Sequence, residues 1–107
     1  MAKYLWQASY TASGFKGLIK AGGNKRRKAV EAALQTVGGK LEAFYFALGK
    51  VDVFIIADVP DNVSIAAASL VINAAGAVTV NTTALLTPDE MDQAAKQYKH
   101  LRYQPPR

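Results

Sequence analysis

Apolar and polar positions change period several times along this chain, and each change marks an element. Tyr4-Leu5-Trp6-Gln7-Ala8-Ser9-Tyr10-Thr11 alternates in part with a period of two and is rich in aromatics, which predicts a strand. Ser13-Gly14 to Gly22-Gly23 carries four glycines and reads as a loop. Val30, Ala33, Leu34 and Val37 then recur at helical spacing. A first helix is therefore expected from an Asn24 cap through Val37, stopped by Gly38-Gly39. Leu41 to Leu48 and Val51 to Val59 are aromatic and β-branched runs on either side of the hairpin signal Gly49-Lys50, and predict strands two and three.

Pro60-Asp61-Asn62 breaks the third strand and offers a helix cap. Val63 to Ala75 is long, small and alanine-rich, which favours a helix that Gly76 ends. Ala77 to Leu86 is rich in Val and Thr and predicts a fourth strand. Thr87-Pro88-Asp89-Glu90 is a helix start with a cap, a first-turn proline and a glutamate three residues on, and this helix runs to about Lys99. The order β-α-β-β-α-β with an added C-terminal helix predicts an α+β, ferredoxin-like fold. It has a four-stranded antiparallel sheet with its two main helices on one face. One domain over residues 1–99 and a tail over 100–107, ending in Pro105-Pro106 before Arg107, is the expected organisation.

A sheet covered on one side must dispose of its other face. Strict alternation puts Leu41, Ala43, Tyr45 and Ala47 on one face of strand two, with Phe44, Phe46 and Leu48 on the other. Strand three divides into Val51, Val53, Ile55 and Ala57 against Phe54 and Ile56. Both faces are then apolar, which a soluble monomer avoids. A homo-oligomer, dimer or higher, closed by sheet-on-sheet packing is the expected partner arrangement. A monomer whose last helix covers that face is the alternative.

The chain of 107 residues is half hydrophobic and one-fifth charged, as a globular domain is. It has no cysteine, which removes disulfides, thiolate metal ligands and cysteine nucleophiles from consideration. No apolar run approaches the roughly 20 residues that cross a bilayer, and the N-terminus lacks the pattern of a signal peptide. A soluble cytoplasmic protein without membrane attachment is expected. The net charge of +5 is unevenly placed: Lys3, Lys16, Lys20, Lys25, Arg26, Arg27 and Lys28 all precede the first acid, Glu31. Such a half points to an anionic partner or to a solvated basic surface.

The candidate chemistry begins where these cations meet the first helix. Lys25, Arg26, Arg27 and Lys28 occupy its first turn, where the dipole disfavours each cation by about 0.3–1 kcal/mol at low salt. A local rule broken in this way marks a place to look for function. Arg26, four residues before Val30, lies near the apolar edge and is the first candidate for holding a small anion, with Lys25 and Lys16 beside it. Gly-Gly-Asn-Lys does not have the spacing of a phosphate-binding P-loop.

Asp52 and Asp58 are six residues apart, hence on one strand face with Phe54 and Ile56, and need partners such as Arg26 or Lys16. Strand-end carboxylates bound to backbone are the plainer reading of both. Tyr10, Tyr45 and Trp6 are candidates to line a pocket between two sheets, or simply core and interface aromatics. His100 is the sole histidine and cannot anchor a zinc site or a triad. No cofactor or metal is called for. Nucleic acid is a weak option, since no run of interleaved basic and aromatic residues accompanies the positive charge.

Several short motifs together give a family resemblance. They are Gly14-Phe15-Lys16-Gly17, Arg26 opening the first helix, Gly38-Gly39-Lys40 closing it, Phe44-Tyr45-Phe46 leading to Gly49-Lys50-Val51-Asp52, Ala57-Asp58-Val59-Pro60-Asp61, and Thr87-Pro88-Asp89-Glu90. In this order and spacing the chain resembles GYD-domain proteins from Tyr4 to about Tyr98. The family's naming tripeptide supplies a tyrosine before the aspartate, and this chain has Val51 there. The resemblance implies a ferredoxin-like fold related to the dimeric α/β barrels and implies no particular activity. The reading that results is a small oligomeric binding or regulatory module that accepts an anion at the start of the first helix. A cofactor-independent enzyme with a barrel cavity and a structural assembly subunit are the alternatives.

Overall fold

β1 (Ala2–Tyr10) is the spine of the sheet in a computed structural model that describes residues 1–106. It pairs antiparallel with β3 (Val53–Val59) on one side and with β4 (Val78–Leu85) on the other. β2 (Lys40–Phe46) adds to β3, so the strand order is β2-β3-β1-β4. The helices are α1 (Ala12–Ala21), α2 (Gly23–Thr36), α3 (Asn62–Ala75) and α4 (Pro88–Tyr98). Each connection through α2 or α3 skips one strand, which is the split βαβ arrangement. The four-stranded antiparallel α+β fold expected above, with its extra C-terminal helix, is the fold observed.

The core lies on one face of the sheet. Tyr4, Trp6 and Ala8 of β1 and Val53, Ile55, Ala57 and Val59 of β3 form its floor, and Val30 and Leu34 of α2 with Ile65 and Ala68 of α3 cover it. Alternation on the two central strands puts every second side chain under the helices. Trp6 is 1 % exposed and donates its indole Nε1–H to Thr82 Oγ1 at 2.8 Å, so its one polar atom is satisfied.

Three expectations are corrected. First, the glycine-bearing stretch after β1 is a helix, α1, rather than a loop. Thr11 caps it by accepting from the Gly14 N–H, and Phe15, Leu18 and Ile19 supply helical spacing that the glycines obscured. Gly14 is buried because the Ala77 carbonyl approaches where a Cβ would stand. Gly22, at φ +87, both ends α1 and begins α2, so the cap of α2 is Gly22 without a side-chain bond and not Asn24.

Second, a bulge between Leu41 and Ala43 moves Leu41 from the face of Ala43 and Tyr45 to that of Phe44 and Phe46. Leu41 pairs with Ala57, but Ala43 pairs with Ile56, Phe44 with Ile55 and Tyr45 with Phe54. Leu41, Phe44 and Phe46 therefore point under the helices, while Ala43 and Tyr45 point to the open face. That face is mixed. Leu5, Phe54, Ile56, Ala43 and Tyr45 form an apolar band beside Gln7, Asn81 and Thr83.

Third, Asp58 is paired by neither Arg26 nor Lys16. On the open face Lys3 Nζ lies 2.9 Å from Asp58 Oδ1 and 3.0 Å from Glu42 Oε1, Glu42 being the bulge residue. These hydrogen bonds, the one to Asp58 foremost, hold the Lys3 ammonium above its ordinary pKa.

The last two helices are well specified locally. Asp61 caps α3 by accepting from the Ser64 N–H at 2.9 Å, which keeps its carboxyl below the usual range. Thr87 and Glu90 close a reciprocal capping box on α4, with Pro88 at its first position. Yet no residue of α4 is buried. The chain measures 55 × 34 × 24 Å along its principal axes.

Candidate functional site

α2 and α3 cover the two halves of the sheet and leave a gap between them. The stripe of α2 that borders the gap is Arg26, Ala29, Val30 and Ala33, at the i, i+3, i+4, i+7 spacing of one helix face. Alanines at 29 and 33 leave space that two larger side chains would occupy. Ile72 of α3 stands opposite, and Trp6, Val53 and Ile55 form the floor. The resulting cavity has a volume of about 180 Å³.

Among the described residues, Arg26 is the only charged one on the cavity wall. Arg26 is half-buried, and its Nε is buried with no hydrogen-bond partner among the described residues. A buried donor left unmatched costs about 1–3 kcal/mol, so this atom asks for an acceptor that the fold does not supply. The first turn of α2 has no acidic residue and no side-chain cap, and Lys25, Arg27 and Lys28 are exposed around it. The turn is thus positive at its surface, and half-buried Arg26 stands on the wall of the apolar cavity.

The structure distributes the other candidates as follows. Tyr10 lines the same cavity as Arg26, and its ring packs 5.3 Å from Phe15 of α1. Lys16 on α1 and Lys25 on α2 are exposed and are not on the cavity wall. Asp52, before β3, accepts from the Tyr10 N–H at 2.9 Å through Oδ2 while its own N–H donates to the Ala8 carbonyl. Its carboxylate is thereby engaged in holding the hairpin to β1. Tyr45 is 71 % exposed on the open face, opposite to buried Trp6, so the two do not share a pocket. Sequence reasoning missed Phe44, Ala29, Ala33 and Ile72 as cavity residues. The signal available for the alanines was their spacing from Arg26.

Among the described residues, no group of three or more His, Cys, Asp or Glu side chains comes together to hold a metal ion. No helix among them is long and apolar enough to cross a membrane.

No curated protein and no solved structure matches the chain significantly. The profile of the GYD domain matches residues 4–95, which spans β1 through most of α4 and contains every residue of the cavity. On that match over most of its length, the chain belongs to the GYD domain family.

Proposed function

We propose that this chain is a small homo-oligomeric binding or regulatory module of the cytoplasm that takes an anionic ligand at the start of α2, through Arg26. The carrying observation is the buried Nε of Arg26, without a partner among the described residues, on the wall of a predominantly apolar cavity. A carboxylate or phosphate oxygen placed there gains a charge-assisted hydrogen bond that the free protein lacks. The exposed Lys25, Arg27 and Lys28 add a field that draws anions toward the same turn.

The oligomeric part of the proposal is supported by the apolar band of Leu5, Phe54, Ile56 and Tyr45 on the open sheet face and by α4, which has no buried residue. An isolated helix of this length is marginal in water, and both surfaces would be covered by a second copy. The absence of cysteine fits a reducing compartment. The enzyme reading looks to a closed cavity between two sheets lined by Tyr10, Tyr45 or Asp52; Tyr45 lies on the open sheet face, while Asp52 is engaged by the Tyr10 backbone N–H.

A thermal-shift screen of wild type and Arg26→Ala with phosphate, nucleotides and carboxylates tests the proposal. Stabilisation of wild type by at least one anion, lost in Arg26→Ala, is the expected result. No shift with any anion, or equal shifts in both proteins, overturns it.

A further inference from the structure

The cavity also constrains what kind of anion enters, an inference that rests on Arg26 being the anion acceptor. We propose that the ligand is an amphipathic carboxylate: one carboxylate on an apolar body of about one ring, or a chain of about six to nine carbons. The apolar body lies between α2 and α3 and the carboxylate meets Arg26.

Size sets the first limit. A cavity of about 180 Å³ is close to the engineered apolar cavity of about 150 Å³ that accommodates benzene. A free phosphate or acetate ion would reach Arg26 and leave the rest of the space unfilled. A nucleotide would extend well outside it.

Polarity sets the second limit. Ala29, Ala33, Ile72, Val53 and Ile55 offer no hydrogen bonds, and the indole N–H of Trp6 is already taken by Thr82, which leaves Tyr10 as the one polar side chain on the lining besides Arg26. Hydroxyls or ring nitrogens carried into the cavity away from Tyr10 and Arg26 would lose their water partners and gain none. Sugars and polar heterocycles are therefore disfavoured, whereas an alkyl or aryl body is not. The headgroup follows from Arg26, since a guanidinium matches a planar carboxylate in shape as well as charge.

Trp6 is the sole tryptophan and forms part of the floor, so the ligand reports on itself through indole emission. Titrations with phenylacetate, octanoate, phenylacetamide, acetate and inorganic phosphate test the inference. Phenylacetate or octanoate should change Trp6 emission saturably, with a Kd at least tenfold below that of acetate or phosphate and tenfold below that of phenylacetamide. Arg26→Gln should weaken the bound carboxylate at least tenfold with an unchanged circular dichroism spectrum. Ala33→Leu, and independently Ala29→Leu, should abolish the amphiphile's binding while leaving any phosphate-induced thermal shift in place.

Phosphate or acetate binding as tightly as both amphiphiles, in an Arg26-dependent way, overturns this inference and leaves the anion-binding module standing. Phenylacetamide matching phenylacetate overturns the carboxylate assignment. No response to any of the anions, with Arg26→Gln unchanged from wild type, removes both.

Discussion

Trp6 and Thr82 are joined across adjacent strands by an indole N–H to hydroxyl hydrogen bond of 2.8 Å, and Thr82 in turn lies 3.2 Å from Ser69 Oγ on α3. The pair ties β1 to β4 beneath the helix layer and fixes the ring that floors the cavity. Thr82→Val removes the acceptor while keeping the shape. It should lower stability by about 1–2 kcal/mol and shift the tryptophan emission, whereas Thr82→Ser should retain most of both. Urea unfolding followed by Trp6 fluorescence measures each, and a Thr82→Val protein as stable as wild type would remove this bond from the account.

Two glycines of α1 should respond in opposite directions. A Cβ on Gly14 would run into the Ala77 carbonyl, which is backbone and cannot swing away. Gly14→Ala should destabilise by about 2 kcal/mol or more. A Cβ on Gly17, in the same helix, would meet no other part of the chain within 4 Å. Gly17→Ala should stabilise by about 0.5–1 kcal/mol through helix propensity. Thermal melts of the two variants give the comparison, and equal melting temperatures would contradict it.

The capping box of α4 carries a pH dependence with a defined sign. Glu90 accepts from the Thr87 N–H at 2.8 Å, and this bond holds its carboxyl below the ordinary glutamate value. The box therefore contributes its full stabilisation above the unfolded-state pKa and loses it as pH falls through the depressed folded-state value. Amide protection factors across Pro88–Tyr98, taken against the intrinsic exchange rate at each pH, should fall in that acid window in the wild type. Glu90→Gln, which keeps an acceptor but cannot titrate, should flatten the profile. Identical profiles for the two proteins would contradict the assignment.

The open sheet face makes a separate prediction. A chain of 11.5 kDa should run in light-scattering chromatography as a dimer or larger. Ile56→Glu, which puts a charge in the middle of the apolar band, should shift it toward the single-chain mass. A wild-type protein of single-chain mass at high concentration would end the oligomeric part of the proposal.

Much of the fold was legible in the sequence because its strands are rich in Val, Ile and aromatics and its last two helices carry explicit caps. Asp61, Gly76, Thr87 and Glu90 mark boundaries through local hydrogen bonding, which a sequence displays. What was not legible depended on contacts distant in sequence. Gly14 looks like a loop residue until the Ala77 carbonyl is seen against it. The bulge at Glu42 arises in the pairing of two strands, and it moved Leu41 to the face opposite Ala43 and Tyr45. Arg26 was marked by its cost to the helix start. The space in front of it was not, because it exists only once Ala29 and Ala33 stand opposite Ile72.

Arg26 is the residue on which the functional account turns, and its Nε–H can be watched directly. The chain has four arginines, so the arginine Nε–Hε region of a nitrogen-15 correlation spectrum is sparse. On titration with phenylacetate or octanoate, the account predicts that the Arg26 Hε signal, assigned by its loss in Arg26→Gln, moves downfield and becomes protected from exchange while the other arginines stay in place. An Arg26 signal that never moves, or movement confined to Arg27 and Arg102, would contradict it.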